Sequence, residues 1–264
     1  VEQRALGVTD EERMTQTEWR VAAIGGGGIT PATLRAVLDS LSVANLAPER
    51  WGTQDGVVRL PFDAREVLGC WEAGGRTLYL ERDRAPVSEL CVRSAPAPFC
   101  RLHLDRADAQ HIPALFAAAH AWAASGRFDL VTCGAPLDPA TSPVSSALDA
   151  NAFRRAASTL RHVIGTAPST YRGVGPAGLA LRTYFGPRYA DQFGHDFLLR
   201  TPGVLATGLS GGVLIDLAER PWLLGTDQIV ERWLTAMGHL ETKEIFAVPD
   251  DRFRTWRKGP KCTL

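Results

Sequence analysis

The alternation of apolar and polar positions is most regular between Gly178 and Leu240. An apolar run at Leu179, Leu181 and Tyr184-Phe185 predicts a strand, and Gly186-Pro187 then opens a helix, where proline at the first position gives up no hydrogen bond. Tyr189, Phe193 and Phe197 recur at every fourth residue, which places three aromatics on one helical face. Two β-prone runs, Val204 to Thr207 and Val213 to Leu217, flank Gly208-Leu209-Ser210-Gly211-Gly212, whose glycines permit the positive φ of a hairpin turn. Gly212 is the expected positive-φ residue, and the hairpin gives the Ser210 hydroxyl no essential partner. A helix from Thr226 closes this strand, helix, hairpin, helix module.

Upstream, Trp19 to Ile24 reads as a strand ending at Gly25-Gly26-Gly27-Gly28. Thr30 and Pro31 supply the N-cap and first position of a helix with an apolar stripe at Leu34, Val37, Leu38 and Leu41. Asn45 to Pro61 is punctuated by proline and glycine and reads as loop; Asp63 then caps a helix bearing Val67, Leu68 and Trp71. Strands follow at Thr77 to Arg82, Leu90 to Arg93 and Phe99 to Leu104. A helix begins at Ile112-Pro113 and runs past Trp122 to Gly126, before a strand at Phe128 to Cys133. Asp149 caps a helix carrying Phe153, Ala157, Leu160 and His162, and Ile245 to Val248 reads as a last strand.

Hairpins interleaved with helices, without sustained β-α-β-α alternation, predict an α+β fold: a largely antiparallel sheet or sheets with helices packed on one face. The divisions expected are an N-terminal arm over 1–17, an α+β half over 18–135, a Pro/Ser-rich connector over 136–148, and a second α+β half over 149–264 ending in a basic tail.

The 264 residues are 45% hydrophobic, ample for a core. Twenty-nine basic and twenty-nine acidic residues cancel, so no global field draws in nucleic acid or an anionic membrane, and neither is expected as a partner. No apolar run approaches the roughly 20 residues of a membrane span, and the first residues lack the pattern of a signal peptide. The five cysteines are odd in number and widely spaced, which suits reduced thiols in a cytoplasmic protein. Cys91 and Cys100, on adjacent predicted strands, leave one bridge open as an alternative.

Motifs for chemistry are present only in part. The tetraglycine resembles a phosphate-cradling turn, but Thr30 stands where G-x-G-x-x-G requires glycine. Gly208 to Gly212 spells G-x-S-x-G, yet a nucleophile elbow leads into a helix and Val213-Leu-Ile-Asp-Leu is β-prone; Asp227 and His239 complete a triad only in chain order. The six histidines never pair at i, i+4, so no metal site is expected, and no catalytic or cofactor-binding residue is assigned. Arg252, Arg254, Arg257, Lys258 and Lys261 around Phe253 and Trp256 are read as a docked basic tail.

Leu181-Arg-Thr-Tyr-Phe-Gly-Pro-Arg-Tyr-Ala-Asp-Gln-Phe-Gly, with Leu198-Leu199, Thr201-Pro202, Gly211-Gly212-Val-Leu-Ile and Ala218-Glu219-Arg220-Pro221, resembles bacterial immunity proteins of polymorphic-toxin and type VI secretion loci, of the immunity protein 52 type. Trp19, Thr30-Pro31, Pro48-Glu-Arg-Trp51-Gly52 and Phe62-Asp63 would be the corresponding N-terminal part. The resemblance implies an α+β inhibitor that neutralises a cognate toxin protein by stoichiometric binding; it transfers no functional residues. Without a global charge excess the contact should be a local patch of aromatics and arginines, which loops would carry at Arg50 and Trp51, Tyr171 and Arg172, and Arg220 and Trp222. The alternative is a small-molecule-binding protein or enzyme with its site in a cleft between the halves.

Overall fold

A computed structural model describes residues 18–25, 27–95, 97–105, 110–137, 149–165, 174–253 and 255–263. The expected N-terminal arm, most of the connector, and Tyr171 with Arg172 lie outside them. Strands are β1 (Trp19–Ile24), β2 (Arg50–Gly52), β3 (Leu60–Pro61), β4 (Thr77–Arg82), β5 (Val87–Arg93), β6 (Phe99–Asp105), β7 (Leu130–Gly134), β8 (Arg182–Phe185), β9 (Leu205–Leu209) and β10 (Gly212–Asp216). They form one sheet in the order β3-β2-β4-β5-β6-β1-β7-β8-β10-β9, with every neighbouring pair antiparallel. Helices are α1 (Pro31–Val43), α2 (Ala64–Glu72), α3 (Ile112–Ala124), α4 (Ala150–Gly165), α5 (Pro187–Phe193), α6 (His195–Leu199) and α7 (Thr226–Leu240). The chain is therefore α+β on a largely antiparallel sheet, as its patterning predicts.

Local chemistry sets the helix starts. The Thr30 hydroxyl accepts from Thr33 N–H with Pro31 behind it, and the Asp63 carboxylate accepts from the Arg65 and Glu66 N–H groups. Asp149 accepts from Asn151 N–H at the start of α4. At Gly186 a Cβ would stand 2.2 Å from the Phe128 carbonyl oxygen, so this helix start needs glycine for close approach as well as Pro187 for φ.

Each half keeps its helices on one face of the sheet, but the two halves use opposite faces. Trp19, on the face of Val21 and Ala23, meets Phe116 of α3 edge-on at 6.1 Å. Ile24 points the other way and packs with Val163 and Ile164 of α4. In its row Phe185 lies 5.1 Å from Phe193 of α5. The central strand β7 is covered on both sides and buried throughout, whereas β4 alternates between buried and half-buried positions.

Several expectations need correction. The 45–61 stretch contains β2 and β3; Trp51 pairs with Leu80 and is buried beside it, so the segment is held by an apolar side chain that proline and glycine punctuation conceals. Gly194, at φ 91°, breaks the Tyr189-Phe193-Phe197 helix in two, and Phe197 ends half-buried, stacked 4.0 Å from the His239 ring. Ser210 and Gly211 hold the positive φ of the hairpin turn, 49° and 78°, in place of Gly212. Cys91 lies opposite Arg101 while Val92 lies opposite Cys100, which puts the two thiols on opposite faces; all five cysteines are free. The final pair is β11 (Val248–Pro249) with β12 (Trp256–Arg257), Ile245 to Ala247 being buried ahead of it.

Candidate functional site

On the side away from α1, α2 and α3, strands β4, β5 and β6 carry no helix among the described residues. Their outward positions form rows fixed by register. One row runs Arg50, Glu81, Glu89, His103, Arg20 across β2, β4, β5, β6 and β1. A second holds Tyr79, Cys91 and Arg101, and a third Thr77, Arg93 and Phe99, where the Arg93 guanidinium sits 5.3 Å over the Phe99 ring. Except for Cys91 and Phe99, which are buried, these side chains are half-buried.

The first row is electrostatically uneven. Arg50 pairs with Glu81 at 3.0 Å and Asp83 at 2.7 Å, and Arg20 pairs with Glu18. Glu89 stands directly across from Glu81, a like-charge cross-strand pair, and makes no ion pair among the described residues. Burial pushes the Glu81 pKa up, Arg50 draws it down, and Glu89 pushes it up again. His103, opposite Glu89, is held below its ordinary pKa by burial and then by Arg20; its Nε2 makes no hydrogen bond. Arg101 also makes no ion pair among the described residues.

The residues singled out from sequence do not converge. Arg50 begins the charged row, on a strand and not in a loop. Trp51 is 6% exposed and belongs to the core, so its assignment to an exposed loop is corrected: parity places it with Leu80, on the face opposite Arg50. Arg220 is exposed ahead of the 3₁₀ turn Pro221–Leu223, but Trp222 folds back to lie 4.8 Å from the Phe116 ring of α3. The Ser210 hydroxyl donates to Ala124 O at 2.6 Å, and His239 Nε2 lies 3.1 Å from Phe197 O, so neither belongs to a triad. The C-terminal tail is docked, with Trp256 stacked 4.1 Å from His162 and Lys261 paired with Glu244 at 2.6 Å. Among the described residues no group of three metal-ligating side chains assembles, and no helix is long and apolar enough to cross a membrane.

Neither known protein families nor curated proteins give a match to this sequence. Sequence reading missed Glu81, Glu89, Arg101 and His103. Their alternation with Leu78, Leu80, Leu90, Leu102 and Leu104 marks them as outward, but only the strand register brings the two glutamates together.

Proposed function

We propose that the protein is a non-enzymatic binder that neutralises a bacterial toxin by stoichiometric contact, and that the contact is the charged face of β4, β5 and β6. The observation that carries this reading is the Glu81–Glu89 pair beside Arg101 and His103. Like charges directly opposite on a sheet destabilise it, so such a pair is most simply retained for a partner that brings positive charge to it. Both signs interleave within one strand spacing, which favours a protein surface over the single-sign stripe suited to nucleic acid. Five free thiols suit work in the reducing cytoplasm.

The test is co-expression with the product of the adjoining gene in a host that this product poisons. The protein should restore growth and co-purify in a one-to-one complex, while Glu89→Lys and Arg101→Glu should each weaken the complex at least tenfold with the melting temperature unchanged. Absence of protection overturns the immunity reading. Protection indifferent to both reversals overturns the assignment of the face.

A further inference from the structure

The outward face of β4, β5 and β6 changes sign along its strands. Down β5 the outward positions run Val87, Glu89, Cys91 and Arg93. At the Val87 end stand Asp105, directly opposite it, and Glu89 with Glu81; at the other end stand Arg101 and Arg93. Arg50 and Arg20, at the margins on β2 and β1, are taken up by Glu81, Asp83 and Glu18. Glu89 and Asp105 at one end, and Arg93 and Arg101 at the other, make no ion pair among the described residues. Apolar groups lie among these charges: Cys91 and Phe99 are buried, and Val87 is 43% exposed.

The face also has a wall and a width. Ile24, opposite Phe99 in register, packs against Val163 and Ile164, so α4 stands along one side of it on the same face. Across the strands, β4 to β6 span about 10 Å, and along them Val87 to Arg93 spans about 20 Å. An α-helix is about 10–12 Å across and covers that length in about 13 residues.

We propose, resting on the immunity reading, that the toxin element seated here is a single α-helix lying beside α4. Its basic side chains stand over Glu89 and Asp105, its acidic ones over Arg93 and Arg101, and its apolar ones over Val87, Cys91 and Phe99. Each end of the face then meets the opposite charge. A helix satisfies its own backbone hydrogen bonds, whereas an extended segment laid flat on the face would turn unmet N–H and C=O groups towards it.

The test places the photo-cross-linking residue p-benzoylphenylalanine at Val87, and in a second variant at Thr77, opposite Arg93, within the one-to-one complex with the product of the adjoining gene. Irradiation and peptide mass spectrometry then read which toxin residues lie over each end. Both positions should label one toxin helix, at sites about 13 residues apart, with Lys or Arg around the Val87 site and Asp or Glu around the Thr77 site. Labels about six residues apart mark an extended segment, and labels on two separate segments mark a composite surface. Either result overturns the helix, as does the opposite order of charges. A complex that forms but is labelled from neither position overturns the site itself, whereas no complex and no protection overturn the immunity reading and the helix with it.

Discussion

The Ser210 hydroxyl donates a 2.6 Å hydrogen bond to the carbonyl oxygen of Ala124, the last residue of α3, and so fastens the β9–β10 hairpin tip to a helix 86 residues earlier in the chain. The close approach is shared by the backbone, since a Cβ on Gly126 would meet the Ser210 Cβ at 3.3 Å. Ser210 is thus an anchor and not a nucleophile.

Ser210→Ala removes that bond but keeps a Cβ at φ 49°, so it should cost about 1 kcal/mol. Ser210→Gly loses the same bond and gains the ease of glycine in the left-handed region, so its cost should be smaller. Urea melts of the two variants test the order; equal losses would mean that backbone conformation contributes nothing at this turn.

Gly211 and Gly212 separate two reasons for glycine. At Gly211, φ 78° makes Gly211→Ala cost about 1–2 kcal/mol through backbone conformation. At Gly212 a Cβ would lie 2.2 Å from the Phe185 carbonyl oxygen and 2.8 Å from the Tyr184 ring, so the backbone of β8 itself must move. Gly212→Ala should therefore cost about 3 kcal/mol or more, and Gly212→Val should impair folding. Equal melting temperatures for Gly211→Ala and Gly212→Ala would contradict this distinction.

Much of the fold was legible because it is written locally. Thr30-Pro31, Asp63 and Gly186-Pro187 start their helices by bonds and φ values that each segment supplies for itself. Trp51 was not legible, because what makes Arg50–Gly52 a strand is pairing with β4, 29 residues later at Leu80. The charged face of β4, β5 and β6 needed register as well, since no local pattern tells that Glu81 meets Glu89. The inward position of Arg82 is local, since the Leu78, Leu80, Arg82 alternation points an arginine to the buried face.

Acid should destabilise the protein through His162. Burial beneath the stacked Trp256 ring holds it neutral, with its pKa lowered from 6.5 to about 4. The folded state then binds fewer protons than the unfolded chain, so stability is full above pH 6.5 and is lost as pH falls from 6.5 towards 4. His162→Phe keeps a stacking ring without a proton site. Its melting temperature should fall less than the wild type's between pH 7 and 5; parallel curves would assign the acid sensitivity elsewhere.

Burial also pushes the Cys100 and Cys133 thiols up, and Cys91 less strongly, leaving them inert as nucleophiles. Cys91, Cys100, Cys133 and Cys262 are buried and Cys70 is half-buried. A disulfide-exchange reagent should modify about one thiol quickly in the native protein, lost in Cys70→Ser, and all five in denaturant without reductant. Fewer than five would reveal a bridge.

Arg182 and Asp216 form a bidentate, largely buried ion pair. Arg182 Nε and one Nη donate to the two Asp216 oxygens at 2.6 and 3.0 Å, the other Nη donates to Phe116 O at 2.7 Å, and both side chains are under 15% exposed. The guanidinium also sits 5.2 Å over the Phe116 ring, which in turn packs against the Trp19 and Trp222 rings, so this one group joins β8, β10 and α3. Removing one partner leaves the other charge buried and unpaired, and Arg182→Met or Asp216→Leu should each cost about 3 kcal/mol or more. Replacing both with apolar groups of similar volume removes the stranded charge, so the double variant should be less destabilised than either single one. Thermal or urea melts of the three variants measure the coupling. Additive losses would mean that Arg182 acts mainly through the Phe116 carbonyl and ring, and that the carboxylate is incidental to the joint.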